Sequence, residues 1–335
     1  MSTIVFCALY DITIDDIKGE GIELPFGIRI TTDNEFKQKL IWEMLEPSIG
    51  GIEFDYLFKA PILYKIIDID ANEKNKDDLL GDFLGYCQLI QFDLWQIKDN
   101  AVNIQMGYLF YPFKMQSMLV STYTAMDIEK AFVHSNLLST MFTHFKGGRE
   151  PVYFNAEEIK SLLIYDEGRS AERLTKHEAS KTLLHASQQK MTLASIFIQL
   201  ARTNHDLALK VTLSCTALEC LFTTDNKELS HKTAERTALL IGTNKDDRKN
   251  VYEKVKDIYS VRSQVLHGTA ISRKMYNKIE VISTYCDDIL RRVIRTIDNT
   301  PELDVFYRNS STKGNSHTNE KNFSLYNYFL DKLLD

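Results

Sequence analysis

Arg262 and His267 are the two side chains of this 335-residue chain whose types and spacing best fit a chemical role. They lie at the end of a predicted helix, and Gly268 follows as the predicted left-handed residue that ends it. The apolar face of that helix consists of Val251, Val255, Ile258 and Tyr259. Histidine titrates near neutral pH and can act as a base or an acid, whereas the planar guanidinium of arginine binds phosphate.

Such a pair matches the needs of metal-independent RNA cleavage. A base must take the proton from the 2′-hydroxyl, an acid must protonate the leaving 5′-oxygen, and a cation must stabilise the phosphate as its charge increases. Because the 2′-hydroxyl is the nucleophile, this chemistry cuts RNA and not DNA and leaves a 2′,3′-cyclic phosphate. Side chains five residues apart on a helix point about 140° away from each other. One copy therefore cannot form a compact site, but two copies facing across a two-fold axis can.

The spacing is not specific by itself, and each residue has a structural alternative. Arg262 can form an ion pair with Glu219 or with another carboxylate of the same helical region. His267 lies in the last turn of its helix, where histidines often cap the free carbonyls. Glu219 is surrounded in sequence by apolar residues, and a partly buried carboxylate needs a partner. A salt bridge to Arg262 is therefore as compatible with the sequence as a catalytic role for Glu219.

Three sequence blocks give this pair its context, at residues 217–222, 234–240 and 258–268. They read ALECLF, AERTALL and IYSVRSQVLHG, and together they resemble the Apea-like branch of the HEPN superfamily over about residues 180–298. Residues 94–103 resemble a block that often precedes such domains and has no assigned activity.

The resemblance implies a helical bundle that dimerises and brings two Arg-x-x-x-x-His motifs into one cleft. It further implies a metal-independent endoribonuclease, a group that often serves as toxins or effectors of antiviral defence. On the matching positions, Arg262 and His267 would be catalytic and Ser263 would assist them. Glu219 also matches a family position, with a less specific role.

Charge is unevenly distributed along the chain. The formal net charge is −6, but residues 181–298 hold 19 basic and 13 acidic side chains and so carry +6, which leaves −12 for the rest. The basic part is where a polyanion would bind. Within it, Arg291, Arg292 and Arg295 form a candidate RNA-binding patch, although such a run is commonly a solvated helix face.

Element patterns predict an α+β protein in which helices dominate. Strands are expected within residues 3–14, 21–31 and 102–124, and helices over 34–45 and 77–97. From about residue 180 to 298 the pattern is helical throughout, with Gly242 and Gly268 at helix ends. The predicted domains are a mixed α/β N-terminal domain for sensing or docking (1–150), a connecting region (151–180), the HEPN bundle (181–298), and a mobile tail with a short terminal helix (299–335).

Several functional classes are excluded by composition. No window is long and apolar enough for a membrane helix, and no glycine-rich phosphate loop occurs. The five cysteines are scattered without a Cys-x-x-Cys pair, which predicts reduced thiols in a cytoplasmic protein, with no structural zinc and no cofactor.

The sequence thus predicts a latent endoribonuclease that acts on RNA, tRNA included, as a homodimer in antiviral defence. The alternative is a non-catalytic HEPN module that binds nucleotide, RNA or a protein partner within a defence complex. Because an unrestrained ribonuclease would harm its host, we expect the acidic part of the chain to restrain the basic bundle, so that removal of residues 1–170 raises activity.

Overall fold

Chain contacts divide the protein into two units that interleave in sequence. The computed structural model describes residues 3–40, 49–67, 76–114, 129–137, 140–164, 189–225, 227–308 and 314–334. The first unit contains Met1–Leu94, Asn100–Met141 and Glu150–Lys176, and the second contains Trp95–Asp99, Phe142–Arg149 and His177–Asp335. Two short segments from the predicted N-terminal domain thus belong to the second unit. Of the predicted connecting region, residues 165–180 lie outside the described part.

An antiparallel sheet organises the first unit. The strands are β1 (Thr3–Ala8), β2 (Ile12–Ile14), β3 (Ile22–Leu24), β4 (Ile28–Thr31), β5 (Ile62–Ile67), β6 (Met106–Lys114), β7 (Glu129–Leu137) and β8 (Val152–Phe154). Within the described residues, six of them form one sheet in the order β3-β4-β5-β1-β6-β7, and β2 pairs in parallel with β8. All pairings in the larger sheet are antiparallel.

The central strand β1 forms the buried core of this sheet. Its sequence is apolar and β-branched, and nearly all of it is buried between β5 and β6. Phe6 lies opposite Tyr64 on one side and Tyr108 on the other, and its ring stacks on that of Tyr108 with centroids 5.2 Å apart. The predicted strand over residues 21–31 is instead a hairpin, because Pro25–Gly27 forms a turn that separates β3 from β4.

Helices of the first unit follow the capping signals in the sequence. They are α1 (Asn34–Leu40), α2 (Gly51–Lys59), α3 (Lys76–Ile97, whose last three residues belong to the second unit) and α4 (Ala156–Ser161). Asp33 caps α1 by accepting a hydrogen bond from the Phe36 backbone, and Asn155 forms a capping box with Glu158 at α4. The remainder of the helix predicted over 34–45 lies outside the described residues.

The second unit is helical, as predicted. It contains α5 (Lys190–Thr203), α6 (Leu207–Phe222), α7 (Leu229–Ile241), α8 (Lys245–Leu266), α9 (Arg273–Tyr276), α10 (Ile279–Asp298), α11 (Asp304–Tyr307) and α12 (Gly314–Leu334). Helix α6 lies against α5, α7, α8 and α10, so it is buried along most of its length. Gly242 and Gly268 stand at the ends of α7 and α8, which confirms their predicted positions. These two units confirm the α+β class.

Segments 95–99 and 142–149 are part of the core of the second unit. Trp95 and Phe145 are fully buried, and the Trp95 indole donates a 2.7 Å hydrogen bond to Asp287 on α10. The Ser283 hydroxyl donates to the Phe145 carbonyl, and the backbone of Thr143 donates to the Arg202 carbonyl on α5. These segments therefore tie helices α5 and α10 together.

The C-terminal region of the second unit also contributes to its core. Arg308 pairs with Asp298, and both side chains are buried. In α12 the ring of Phe329 meets Phe222 of α6 edge-on, at 5.8 Å between centroids. Residues 309–313 of the predicted mobile tail lie outside the described part. Within the described ranges, none of the helices is long and apolar enough to cross a bilayer.

Candidate active site

Helices α6 and α8 position the predicted site. Helix α8 begins at the Asn244 cap, whose side chain accepts hydrogen bonds from the backbone of Asp246 and Asp247. Of the predicted apolar face it buries Val251, Val255 and Ile258, together with Val261, whereas Tyr259 is only partly buried. Because Arg262 follows Val261 directly, its Cα is fixed beside the packed core while its side chain lies at the edge of the α6–α8 contact.

An ion pair joins Arg262 to Glu219 across these helices. The Arg262 Nη2 and Glu219 Oε2 atoms are 2.8 Å apart, and the two side chains are 21% and 12% exposed. The structural alternative considered for these residues is therefore present in the molecule. The contact uses one edge of the guanidinium, since Arg262 Nε has no hydrogen-bond partner among the described residues. Because that nitrogen is also buried, it lies within the α6–α8 contact and is closed to an incoming anion in this arrangement.

Tyr259, which the sequence places on the apolar face of α8, is a third member of this cluster. It lies one turn before Arg262 on α8, and the Arg262 guanidinium carbon is 5.2 Å from the centroid of its ring. Burial raises the pKa of Tyr259 to about 12, and the neighbouring Glu219 carboxylate adds to the increase. The three-residue spacing to Arg262 is the signal that indicates this contact.

His267 occupies the exposed end of the same helix. Its backbone N–H donates to the carbonyl of Ser263 at 3.1 Å, and the following Gly268 has φ of +67°. The N–H of Gly268 bonds to Val265 and that of Thr269 bonds to Gln264, so the helix ends in a Schellman motif. This motif places the His267 imidazole at the surface, where solvent or a second molecule can reach it.

The predicted site residues thus fall into two groups. Arg262 and Glu219 contact each other, and Ser263 lies next to Arg262, partly buried. His267 stands apart, because no hydrogen bond or ion pair joins it to Arg262 in the part of the chain that the structure describes. This separation agrees with the angle of about 140° that the helical repeat predicts between the two side chains. A site that uses both side chains would therefore need a second copy.

The three arginines of the predicted RNA-binding patch all have partners within the bundle. Arg291 pairs with Asp287 at 2.8 Å, and Arg292 pairs with Asp247 at 3.0 Å. Arg295 donates to the Arg291 carbonyl. Because carboxylates already neutralise two of the three, little unpaired charge remains here for phosphate. The RNA-binding role of this patch stays a prediction.

Comparisons with family models, with curated proteins and with solved structures found no match to this chain. The HEPN resemblance and the catalytic roles of Arg262, His267, Ser263 and Glu219 therefore stay predictions. Among the described residues, no three histidine, cysteine or acidic side chains are grouped so that they could hold a metal ion.

Proposed function

We propose that the chain is a metal-independent endoribonuclease of HEPN type that acts as a homodimer. The observation that supports this most directly is the state of the Arg262 guanidinium. It is held at the α6–α8 edge by Glu219 and Tyr259 with 21% of its side chain exposed, five residues before an exposed His267. Held in this way, the guanidinium loses little conformational entropy when it binds a phosphate.

In the proposed reaction, the His267 imidazole of one copy takes the proton from the RNA 2′-hydroxyl. The 2′-oxygen then forms a bond to phosphorus and displaces the 5′-oxygen, which receives a proton from the His267 of the second copy. Arg262 stabilises the charge on the non-bridging phosphate oxygens. The products are a 2′,3′-cyclic phosphate and a 5′-hydroxyl. We propose the cytoplasm as its location and antiviral defence as its setting, and all five cysteines are free thiols, as that compartment favours.

The alternative is a module that binds RNA, nucleotide or a protein partner of a defence complex without cutting. The 2.8 Å pair between Arg262 and Glu219 favours it, because a well-paired arginine also serves to hold two helices together. Under this alternative His267 acts only as a helix cap.

The two functions are separated by incubating total RNA and tRNA with the purified protein in EDTA. We expect fragments with cyclic-phosphate ends from the wild type and a loss of at least about a hundredfold for Arg262→Ala and for His267→Ala. His205→Ala is the matched control, since His205 is an exposed histidine of the same unit outside the site. Fragments that persist in both variants would refute the assignment of the site.

Oligomeric state gives an independent test of the composite site. Light scattering coupled to size exclusion should show a dimer at micromolar protein. Adding an excess of inactive His267→Ala to the wild type should then lower its activity, because a mixed dimer lacks one of the two His267 side chains that the proposed reaction uses. A wild-type enzyme that is active as a monomer would contradict the composite mechanism.

A further inference from the structure

The segment that follows His267 has an unusual charge pattern. Between Asp257 and Glu280 the chain contains no acidic residue. After the histidine it carries Arg273, Lys274 and Lys278, with Tyr276 between them. The four side chains lie within the six residues 273–278, close to the proposed site, and the first acidic residue after them is Glu280.

Gln264 holds this segment against the end of α8. Its side-chain oxygen accepts a 2.7 Å hydrogen bond from the Ser272 backbone, and its carbonyl accepts from both the backbone and the hydroxyl of Thr269. Ser272 in turn caps α9 by accepting from the Met275 backbone. Residues 269–276 are therefore fixed beside the Schellman motif that presents His267.

The cationic and aromatic side chains of the segment face solvent. Arg273, Lys274 and Lys278 are exposed, and none of them has a hydrogen-bond or ion-pair partner in the described ranges. Tyr276 is 67% exposed, a large value for an aromatic ring that has no packing role. This contrasts with Arg291 and Arg292, whose charges are neutralised by aspartates.

We propose that residues 269–278 bind single-stranded RNA, with Tyr276 stacking on an unpaired base and the three cations contacting consecutive phosphates. This inference rests on the proposed function, because it supplies the substrate surface beside His267. An exposed ring among unpaired cations is the arrangement by which proteins hold single strands. A duplex offers no free base face to the ring, so the segment selects unpaired RNA such as loops and ends.

Binding is measured by fluorescence anisotropy with a labelled single-stranded RNA whose 2′-hydroxyls are replaced by fluorine. This probe cannot be cut, so binding is read separately from catalysis. We expect Tyr276→Ala to weaken binding about tenfold and Tyr276→Phe to bind like the wild type, because stacking needs the ring and not the hydroxyl. The matching duplex should bind more weakly than the single strand.

The charge contribution is tested by its salt dependence. Replacing Arg273, Lys274 and Lys278 by Gln should lower the slope of log affinity against log salt by about two, at about 0.7 per phosphate contact for a single strand. The matched control is Lys245→Gln with Lys249→Gln, two exposed cations at the other end of α8. All six substituted side chains are exposed, and equal melting temperatures will show that the variants remain folded.

Each outcome decides one proposal separately. No binding by the wild type, equal binding by Tyr276→Ala, or equal affinity for the duplex would overturn the segment's role. Binding that depends on Tyr276 and the three cations, without cleavage of unmodified RNA, would support the segment and contradict the nuclease. Cleavage that depends on His267 and not on Tyr276 would support the nuclease and contradict the role of the segment.

Discussion

Removing the N-terminal 176 residues should unfold the helical unit, although the bundle helices themselves would all remain. The truncated chain 177–335 lacks both Trp95–Asp99 and Phe142–Arg149, which belong to the second unit. The sequence alone suggests that removing residues 1–170 would test whether the acidic part of the chain restrains a nuclease. Because such a truncation also removes part of the core of the helical unit, it cannot serve as that test.

The size of the effect follows from the side chains that are lost. Trp95, Phe142 and Phe145 are 0%, 3% and 0% exposed. Truncating one buried Phe or Trp to Ala costs about 3–5 kcal/mol, so losing three approaches the whole stability of a domain, about 5–15 kcal/mol. The deletion also removes the indole that donates to Asp287 Oδ1 and the Phe145 carbonyl that accepts from the buried Ser283 hydroxyl, so both groups lose a hydrogen bond in the core.

The assay is urea denaturation followed by far-ultraviolet circular dichroism, with amide exchange of α6 and α10 as a second probe. The truncated chain should lack a cooperative transition, and full-length Phe145→Ala should lose about 3–5 kcal/mol. Tyr276→Ala is the control, because it removes an exposed ring and should change stability by less than about 0.5 kcal/mol. A truncated chain that unfolds cooperatively with slowly exchanging α6 amides would refute this account of the core.

Three further predictions concern the site and its surroundings. Gly268→Ala should cost about 1 kcal/mol in urea denaturation, because φ is +67° and a Cβ there meets no atom within 4 Å, so the cost is conformational; an unchanged midpoint would contradict the left-handed turn. Burial and the Asp99 carboxylate raise the pKa of Asp287 to about 7, from 3.8, so its contribution to stability is lost as pH rises through 7. The unfolding free energy of the wild type, relative to Asp287→Asn, should therefore be lower at pH 8 than at pH 5, and a pH-independent difference would contradict the shift. Arg262→Met should destabilise more than Arg262→Met with Glu219→Leu, since the single change leaves a carboxylate unpaired, and additive effects in the double-mutant cycle would contradict the pair.

Local signals in the sequence were sufficient for the helices and for part of the site. Gly242 and Gly268 stand at the helix ends predicted from residue type alone. The ion pair of Arg262 with Glu219 was one of the alternatives that the sequence left open, because a carboxylate within an apolar run requires a partner. These features depend on contacts within one helix or between two neighbouring helices.

Features that depend on distant parts of the chain could not be predicted in this way. The hydrogen bond between Trp95 and Asp287 joins residues 192 positions apart, and no periodicity reports it. The strand pairing of β5 with β1 and the assignment of segment 142–149 to the bundle core are of the same kind. Tyr276 was missed for another reason, because the exposure of an aromatic residue is known only once its neighbours are placed.

The pair between Arg262 and Glu219 is compatible with both proposed functions, and its geometry shows how they are related. A carboxylate that engaged the guanidinium through two parallel hydrogen bonds would leave fewer of its donors for a phosphate. Here Glu219 contacts Nη2, Nε is buried, and 21% of the Arg262 side chain is exposed. Glu219 can thus hold the arginine in place while a phosphate approaches the exposed part of the side chain, at the cost of weaker attraction because its negative charge lies nearby. Under the proposed nuclease function, such a site would bind RNA weakly until a second copy brings His267 and further positive charge, so dimerisation would be its point of control.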